Sequence, residues 1–309
     1  MAVTKPNQLN IPGPIADRIA YSGGVMLAGI GGGYDICGGL PLFYEWPTLV
    51  KAMANYSSKS GIFSRVAQPG DDPEYLLSTK VNVPVYLIGR EGVQTVRRGY
   101  EEILKKHQDK ISTIFLIDGG VDSLMRGDET GGGTVLEDFI SMSAIAQLDI
   151  PCKYLVCIGF GAETEEGVCH YRALENMAGI IKDGGFLGCC ALTKNMDCFK
   201  SYDRTCRAVM KESKRKSHIH SRIIPAVEGE FGNHLMYEDV DARVAGATND
   251  SVFVNPFMPI MWFFDFEVVA RRNLLLNKLK LSGTFTDAKI LYREFVEAAT
   301  RRTDEKIPW

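Results

Sequence analysis

The 309-residue chain contains no Cys-x-x-Cys pair, no Gly-Lys-Ser/Thr behind a glycine loop, no Gly-x-Ser-x-Gly and no long unbroken apolar run. The first absence argues against a zinc ribbon, the second against a P-loop and the third against a nucleophile elbow. A membrane helix needs about 18 or more consecutive apolar residues, so no membrane partner is expected. No acidic or basic tail dominates, and a net charge of −3 gives little attraction for the phosphate backbone of a nucleic acid. The opening residues MAVTKPNQLNIPGPIADRIA lack the apolar segment of a secretory leader, and a cytoplasmic location is expected.

Eight cysteines are present, mostly inside apolar segments such as YLVCIGF and GFLGCCAL, where a thiol packs as a small hydrophobe. They are read as reduced and structural, with no disulfide needed for folding. The hydrophobic content of 45% and charged content of 24% are ordinary for a globular protein. Apolar runs that end in glycine recur at 24–33, 83–92, 113–120 and 153–161, and segments of helical pattern lie between them at 93–108 and 134–148. A further helix over 167–185 and a buried strand over 185–193 extend the alternation to about residue 195.

Strands alternating with helices imply right-handed crossovers and a mainly parallel sheet covered on both faces. The expected fold is therefore α/β, a Rossmann-like doubly wound sheet, with residues 1–309 forming one domain. Residues 1–195 would be its core and 196–309 a C-terminal elaboration. Within the latter, KESKRKSHIHSR (211–222) reads as the end of a solvated helix and a connector. The aromatic stretch 253–279 reads as a core helix begun by Pro259 and ended near Lys278, with a subunit interface in a homo-oligomer or a pocket wall as the other readings of 257–266.

Sheets of this kind bind ligands where the loops leave the carboxyl ends of their strands. Three such loops combine glycine with acids. In AGIGGGYDICGG (28–39), Gly31, Gly32 and Gly33 allow a close backbone approach and could cradle a phosphate, although the third glycine of the dinucleotide fingerprint is missing. Asp35 follows directly and calls for a ribose hydroxyl, a Mg²⁺ ion or an amine, or else caps a helix. In IFLIDGGVDSLMRGDE (114–129), Gly119 and Gly120 form the turn, while Asp118, Asp122 and Asp128 are candidate metal or sugar ligands beside Glu129. Arg126 between them would contact a phosphate or neutralise its neighbours.

The third loop, IGFGAETEEG (158–167), brings Glu163, Glu165 and Glu166 to the same expected edge. His170 follows one turn later as a candidate general base or a packing residue. His218 and His220 form a His-x-His in the basic connector, and His234 stands among acids without an assigned role.

Two resemblances follow from these residues. The GGVDS core resembles the Ser-Gly-Gly-x-Asp-Ser loop of ATP pyrophosphatases, but Asp118 replaces its leading serine. GIGGGYD, IDGGVDSLMRGDE with GGGTVLEDFISM, and NPFMPIMWFFDFEVVARRN together resemble the DUF1152 family of uncharacterised proteins, over most of the chain. That likeness implies one architecture for the three segments and transfers no substrate.

The residues themselves lead to an enzyme acting on a small phosphorylated or ribosylated metabolite, a nucleotide or sugar phosphate, by cation-assisted hydrolysis or group transfer. Asp118, Asp122, Glu163 and His170 would be catalytic, with Gly31–Gly33, Asp35, Gly119, Gly120 and Arg126 on the ligand and Asp118, Asp122 and Asp128 on Mg²⁺. An NAD(P)-dependent oxidoreductase and a non-catalytic nucleotide sensor or scaffold are the alternatives.

Overall fold

In the strand β1 (Val25–Gly29) every residue is buried, as a strand covered on both faces must be. The same holds for β4 (Val85–Ile88) and β5 (Thr113–Asp118), and nearly so for β2 (Val50–Tyr56) and β6 (Cys152–Ile158). The computed structural model describes residues 7–19, 22–108, 110–132, 134–163, 166–235 and 251–308. These five strands run parallel, in the order β4-β2-β1-β5-β6.

Antiparallel pairings complete the eight-stranded sheet. One edge is β3 (Ser64–Val66), paired with β4; at the other, β10 (Ile260–Asp265) lies between β6 and the edge strand β7 (Phe186–Ala191). A separate hairpin consists of β8 (Gly232–Leu235) and β9 (Ser251–Val254).

The helices are α1 (Gly13–Ile19), α2 (Asp35–Gly38), α3 (Leu40–Glu45), α4 (Glu74–Ser78), α5 (Val93–Lys106), α6 (Val135–Ala146), α7 (His170–Lys182), α8 (Asp197–Glu212), α9 (His220–Glu228), α10 (Phe266–Arg272), α11 (Leu276–Leu279) and α12 (Phe285–Ala298). Side chains alternate between the faces of a strand. Ile114 and Leu116 of β5 accordingly join a core with Val96 and Tyr100 of α5 and Phe139 of α6, whereas Phe115 and Ile117 join one with Leu42 of α3, Tyr202 of α8 and Ile223 of α9. The fold is thus the expected Rossmann-like α/β sheet with helices on both faces. Among the described residues no helix is long and apolar enough to cross a membrane, and all eight cysteines are free thiols.

The chain leaving β1 reaches β2 on one side, while the chain leaving β5 reaches β6 on the other. The gap between the carboxyl ends of β1 and β5 is therefore the switch point at which such sheets open a crevice.

Two expectations need correction. The aromatic stretch is not a helix from Pro259: residues Ile260–Asp265 form β10, and the helix begins only at Phe266. The reason is local, because IMWFFD is β-branched and aromatic, suited to a pleated surface. Asp265 then caps α10 by accepting the Glu267 N–H at 2.9 Å. Residues beyond 196 therefore supply a strand of the main sheet. The second correction concerns β7, which is an edge strand with only Cys190 and part of its apolar surface covered, not a fully buried one.

Candidate functional site

The glycine loop after β1 is shaped by two of its residues. Gly32 and Gly33 have φ of 91° and 54°, in the left-handed region where a side chain is strained. At Gly31 the limit is space, since a Cβ would lie 2.7 Å from an Asp35 oxygen and 2.8 Å from an Asp138 oxygen. The expected anion cradle is not built here on a helix end: α2 has four residues, and the Gly31 N–H donates to Asp35 Oδ2 at 2.6 Å.

Asp118 closes β5 and is 2% exposed. Its Oδ2 accepts from Ser123 N at 3.2 Å, from Ser123 Oγ and from Cys157 Sγ at 3.6 Å. A 3₁₀ turn at Asp122–Leu124 then places Asp122, whose Oδ2 accepts from Thr134 N at 3.1 Å and Thr134 Oγ1 at 3.2 Å. Glu163, from the loop after β6, reaches across Gly120 and accepts the Val121 N–H on Oε2 at 2.6 Å. A side chain on Gly120 would collide with that carboxylate, with a Cβ 2.1 Å from its carbon.

One member had escaped the sequence reading. Asp138, in the first turns of α6, is 1% exposed, and neither of its carboxylate oxygens has a hydrogen-bond partner among the described residues. Ligand atoms of Asp35, Asp118 and Asp138 lie within 4.8 Å of one another, as do those of Asp118, Asp122 and Glu163. Burial and mutual repulsion act together on these groups. Asp118 is pushed up to about 6, chiefly by burial. Asp35, Asp122, Asp138 and Glu163 are held well above the ordinary carboxylate range, by burial first and then by neighbouring acids, Asp118 among them in each case.

A cleft of about 300 Å³ meets this cluster at Asp35 and Glu163, which line it, whereas the buried Asp118, Asp122 and Asp138 are not among its lining residues. Gly31–Gly33, Asp35, Gly119, Thr134, Glu163 and Glu166 line one side, and Lys59, Arg215, Lys216 and His218 bring positive or titratable groups to it. The basic connector between α8 and α9, expected to be simply solvated, thus borders the cleft. Three hydrogen bonds secure it. Tyr34 Oη donates to the Arg215 carbonyl at 2.6 Å, and His220 Nε2 lies 2.9 Å from the Tyr34 carbonyl with Nδ1 2.8 Å from Tyr202 Oη. Because burial lowers His220 to about 4, the ring is neutral near pH 7. A carbonyl only accepts, so Nε2 carries the proton and Nδ1 accepts from Tyr202. These bonds take up both ring nitrogens of His220, leaving none to ligate a metal ion with His218.

Asn55, on β2, ties the loop to the opposite wall: its Nδ2 donates to the Gly33 carbonyl at 3.0 Å and to Glu74 Oε1 at 2.9 Å. Burial raises Glu74, which also lines the cleft, to about 7.

Other candidates lie elsewhere. Asp128 Oδ1 accepts from Arg302 at 2.7 and 3.1 Å, so its expected role as a metal ligand gives way to an ion pair. Arg126 donates its backbone N–H to Glu129 at 3.0 Å and is not among the residues lining the cleft. His170 starts α7 with its ring centroid 5.1 Å from that of Phe160, and it too is outside the cleft lining. Glu165 and the side chain of His234 lie outside the described residues.

One weak signal in the sequence could have pointed to Asp138. Helix α6 is apolar on nearly all sides, and an acid within such a helix has no solvated face to occupy. No curated protein and no solved structure matches the chain. A family model does, over residues 73–298: Protein of unknown function (DUF1152).

Proposed function

We propose, from the cleft of a chain that belongs to the DUF1152 family, a divalent-cation-assisted hydrolase or group transferase for a small phosphorylated or ribosylated metabolite. The observation that carries this reading is Asp138, a buried carboxylate with both oxygens unpartnered beside Asp35 and Asp118. An uncompensated charge in such a place costs several kcal/mol. A hard cation offsets that cost, and carboxylate oxygens are the donors that Mg²⁺ and Mn²⁺ prefer. Bound there, the cation would polarise a phosphoryl or carbonyl oxygen as a Lewis acid.

The chain's own residues supply the rest. Asp35, Asp118, Asp122, Asp138 and Glu163 would hold the cation, and Thr134 and Ser123 fix two of these carboxylates by hydrogen bonds. Arg215 lines the same cleft and suits an anionic substrate by its planar fork, whereas the Lys216 ammonium donates to the Met210 carbonyl at 2.5 Å. The glycines allow a ligand to approach the backbone closely.

A panel of nucleotides, sugar phosphates and NAD(P), followed by thermal unfolding and product analysis with and without Mg²⁺, tests this reading. Phosphorylated compounds that stabilise the protein only with the cation, and are turned over, are expected. Stabilisation by NAD(P) independent of cation would favour the oxidoreductase. Binding without turnover of any compound would favour the sensor.

A further inference from the structure

The acids form two groups joined by one residue. Asp35, Asp118 and Asp138 make the first, and Asp118, Asp122 and Glu163 the second. In both, ligand atoms within 4.8 Å of one another approach the spacing of about 3 to 4 Å between oxygens around a small divalent ion, so modest inward shifts would complete the contacts.

Their hydrogen bonds are one-sided. The bonds to Asp118 and Asp122 fall on Oδ2 and the bond to Glu163 on Oε2. The other oxygen of each has no hydrogen bond among the described residues. Donors that fix one oxygen and leave its mate open are what orient a carboxylate ligand toward a metal. Asp138 goes further, with both oxygens open and buried.

Charge leads to the same count. A single divalent cation balances two of the five carboxylates, whereas two balance four. Among the described residues, no lysine or arginine forms a salt bridge with any of the five.

We propose that the acid cluster beside the cleft binds two divalent cations with Asp118 as their shared ligand, one between Asp35, Asp118 and Asp138 and the other between Asp118, Asp122 and Glu163. The inference rests on the reading of this cleft as a cation site. It narrows the substrate to one with an oxyanion able to span both ions, a phosphoryl group above all, since paired cations about 3.5–4 Å apart clamp the oxygens of a phosphoryl displacement. Arg215, which lines the cleft, would then meet the oxygens directed away from the metals.

The test is titration of metal-stripped protein with Mn²⁺ alone, counting bound ions and recording the electron paramagnetic resonance spectrum. Two ions per chain with a spin-coupled signal are expected. Asp138→Asn and Glu163→Gln should each bind one ion and lose the coupling, and Asp118→Asn should weaken both ions at least tenfold. Asp128→Asn, outside the cleft, should bind two. Circular dichroism confirms that every variant is folded before it is counted. One ion in the parent, or two without spin coupling, overturns the shared site and leaves the single-cation reading standing. No bound ion overturns that reading as well.

Discussion

The stretch IFLIDGGVDSLMRGDE supplies acids to two places that treat them in opposite ways. Asp128 and Glu129 meet Arg302, which binds the Asp128 carboxylate twice and reaches Glu129 Oε1 at 2.5 Å. Glu129 also accepts the N–H groups of Arg126 and Gly127 and an Asn176 N–H at 2.7 Å. Asp118 and Asp122, only a few residues earlier, are buried among Asp35, Asp138 and Glu163 with no basic side chain as an ion-pair partner among the described residues. Acid density is common to both clusters. What separates them is compensation from within the chain, and on the proposed reading a cation supplies what the second cluster lacks.

The largest test of that contrast is Arg302→Ala. It takes the ion-pair partner Arg302 from Glu129, which is 4% exposed, and leaves it the N–H donors of Arg126, Gly127 and Asn176. Removing one partner of a buried ion pair costs about 3 kcal/mol. Denaturant unfolding should show that loss with the cation response intact; a lost cation response would join the clusters that the comparison separates.

Acidity gives the next effect. Asp118 titrates near 6 in the native chain against an ordinary 3.8, so the folded state keeps a proton that the unfolded state has released between those values. The sign follows: this group makes the metal-free protein less stable as pH rises from about 4 to about 6, by at most about 1.4 kcal/mol per pH unit per proton. Cation binding needs the ionised form, so Mg²⁺ should restore stability as the pH approaches 7. Urea midpoints across this range, with and without Mg²⁺, measure the slope, and a metal-free slope of the opposite sign would contradict the assignment.

Substituting asparagine for aspartate should then act with opposite sign in the two places. Asp138→Asn removes an acid that burial and its neighbours hold well above the ordinary carboxylate range, and should stabilise the metal-free protein by up to about 1 kcal/mol at pH 7 while impairing cation binding. Asp128→Asn weakens a partly exposed pair and should destabilise by roughly 0.5 kcal/mol with cation binding unchanged. Unfolding midpoints that move in the same direction would break the comparison.

The sheet was legible because buried parallel strands are continuous apolar runs that end in glycine, as in TIFLIDGG. Strand β2 was not, since Lys51 and Asn55 interrupt its apolar pattern, and β10 was mistaken for helix because aromatic runs suit either element. The meeting of Gly31, Asp35, Asp118 and Glu163 was legible from topology, since each follows a parallel strand whose carboxyl end faces one edge. Asp138 was hidden because an acid in the first turns of a helix ordinarily answers the helix dipole. Arg215 and Lys216 were hidden because a basic run after a helix ordinarily faces water, whereas here the connector is held at the cleft by the bonds of Tyr34 and His220.

The most direct measurement is the unfolding temperature of metal-stripped protein at pH 7 with increasing Mn²⁺, beside Asp118→Asn, which keeps the side chain's size and removes its charge. If these carboxylates hold cations, the parent should rise by roughly 5 °C at a hundredfold excess over the dissociation constant. Asp118→Asn should melt within a few degrees of the metal-free parent and respond only weakly. A parent that melts at the same temperature whatever the Mn²⁺ concentration, or a variant that responds as the parent does, would contradict the account.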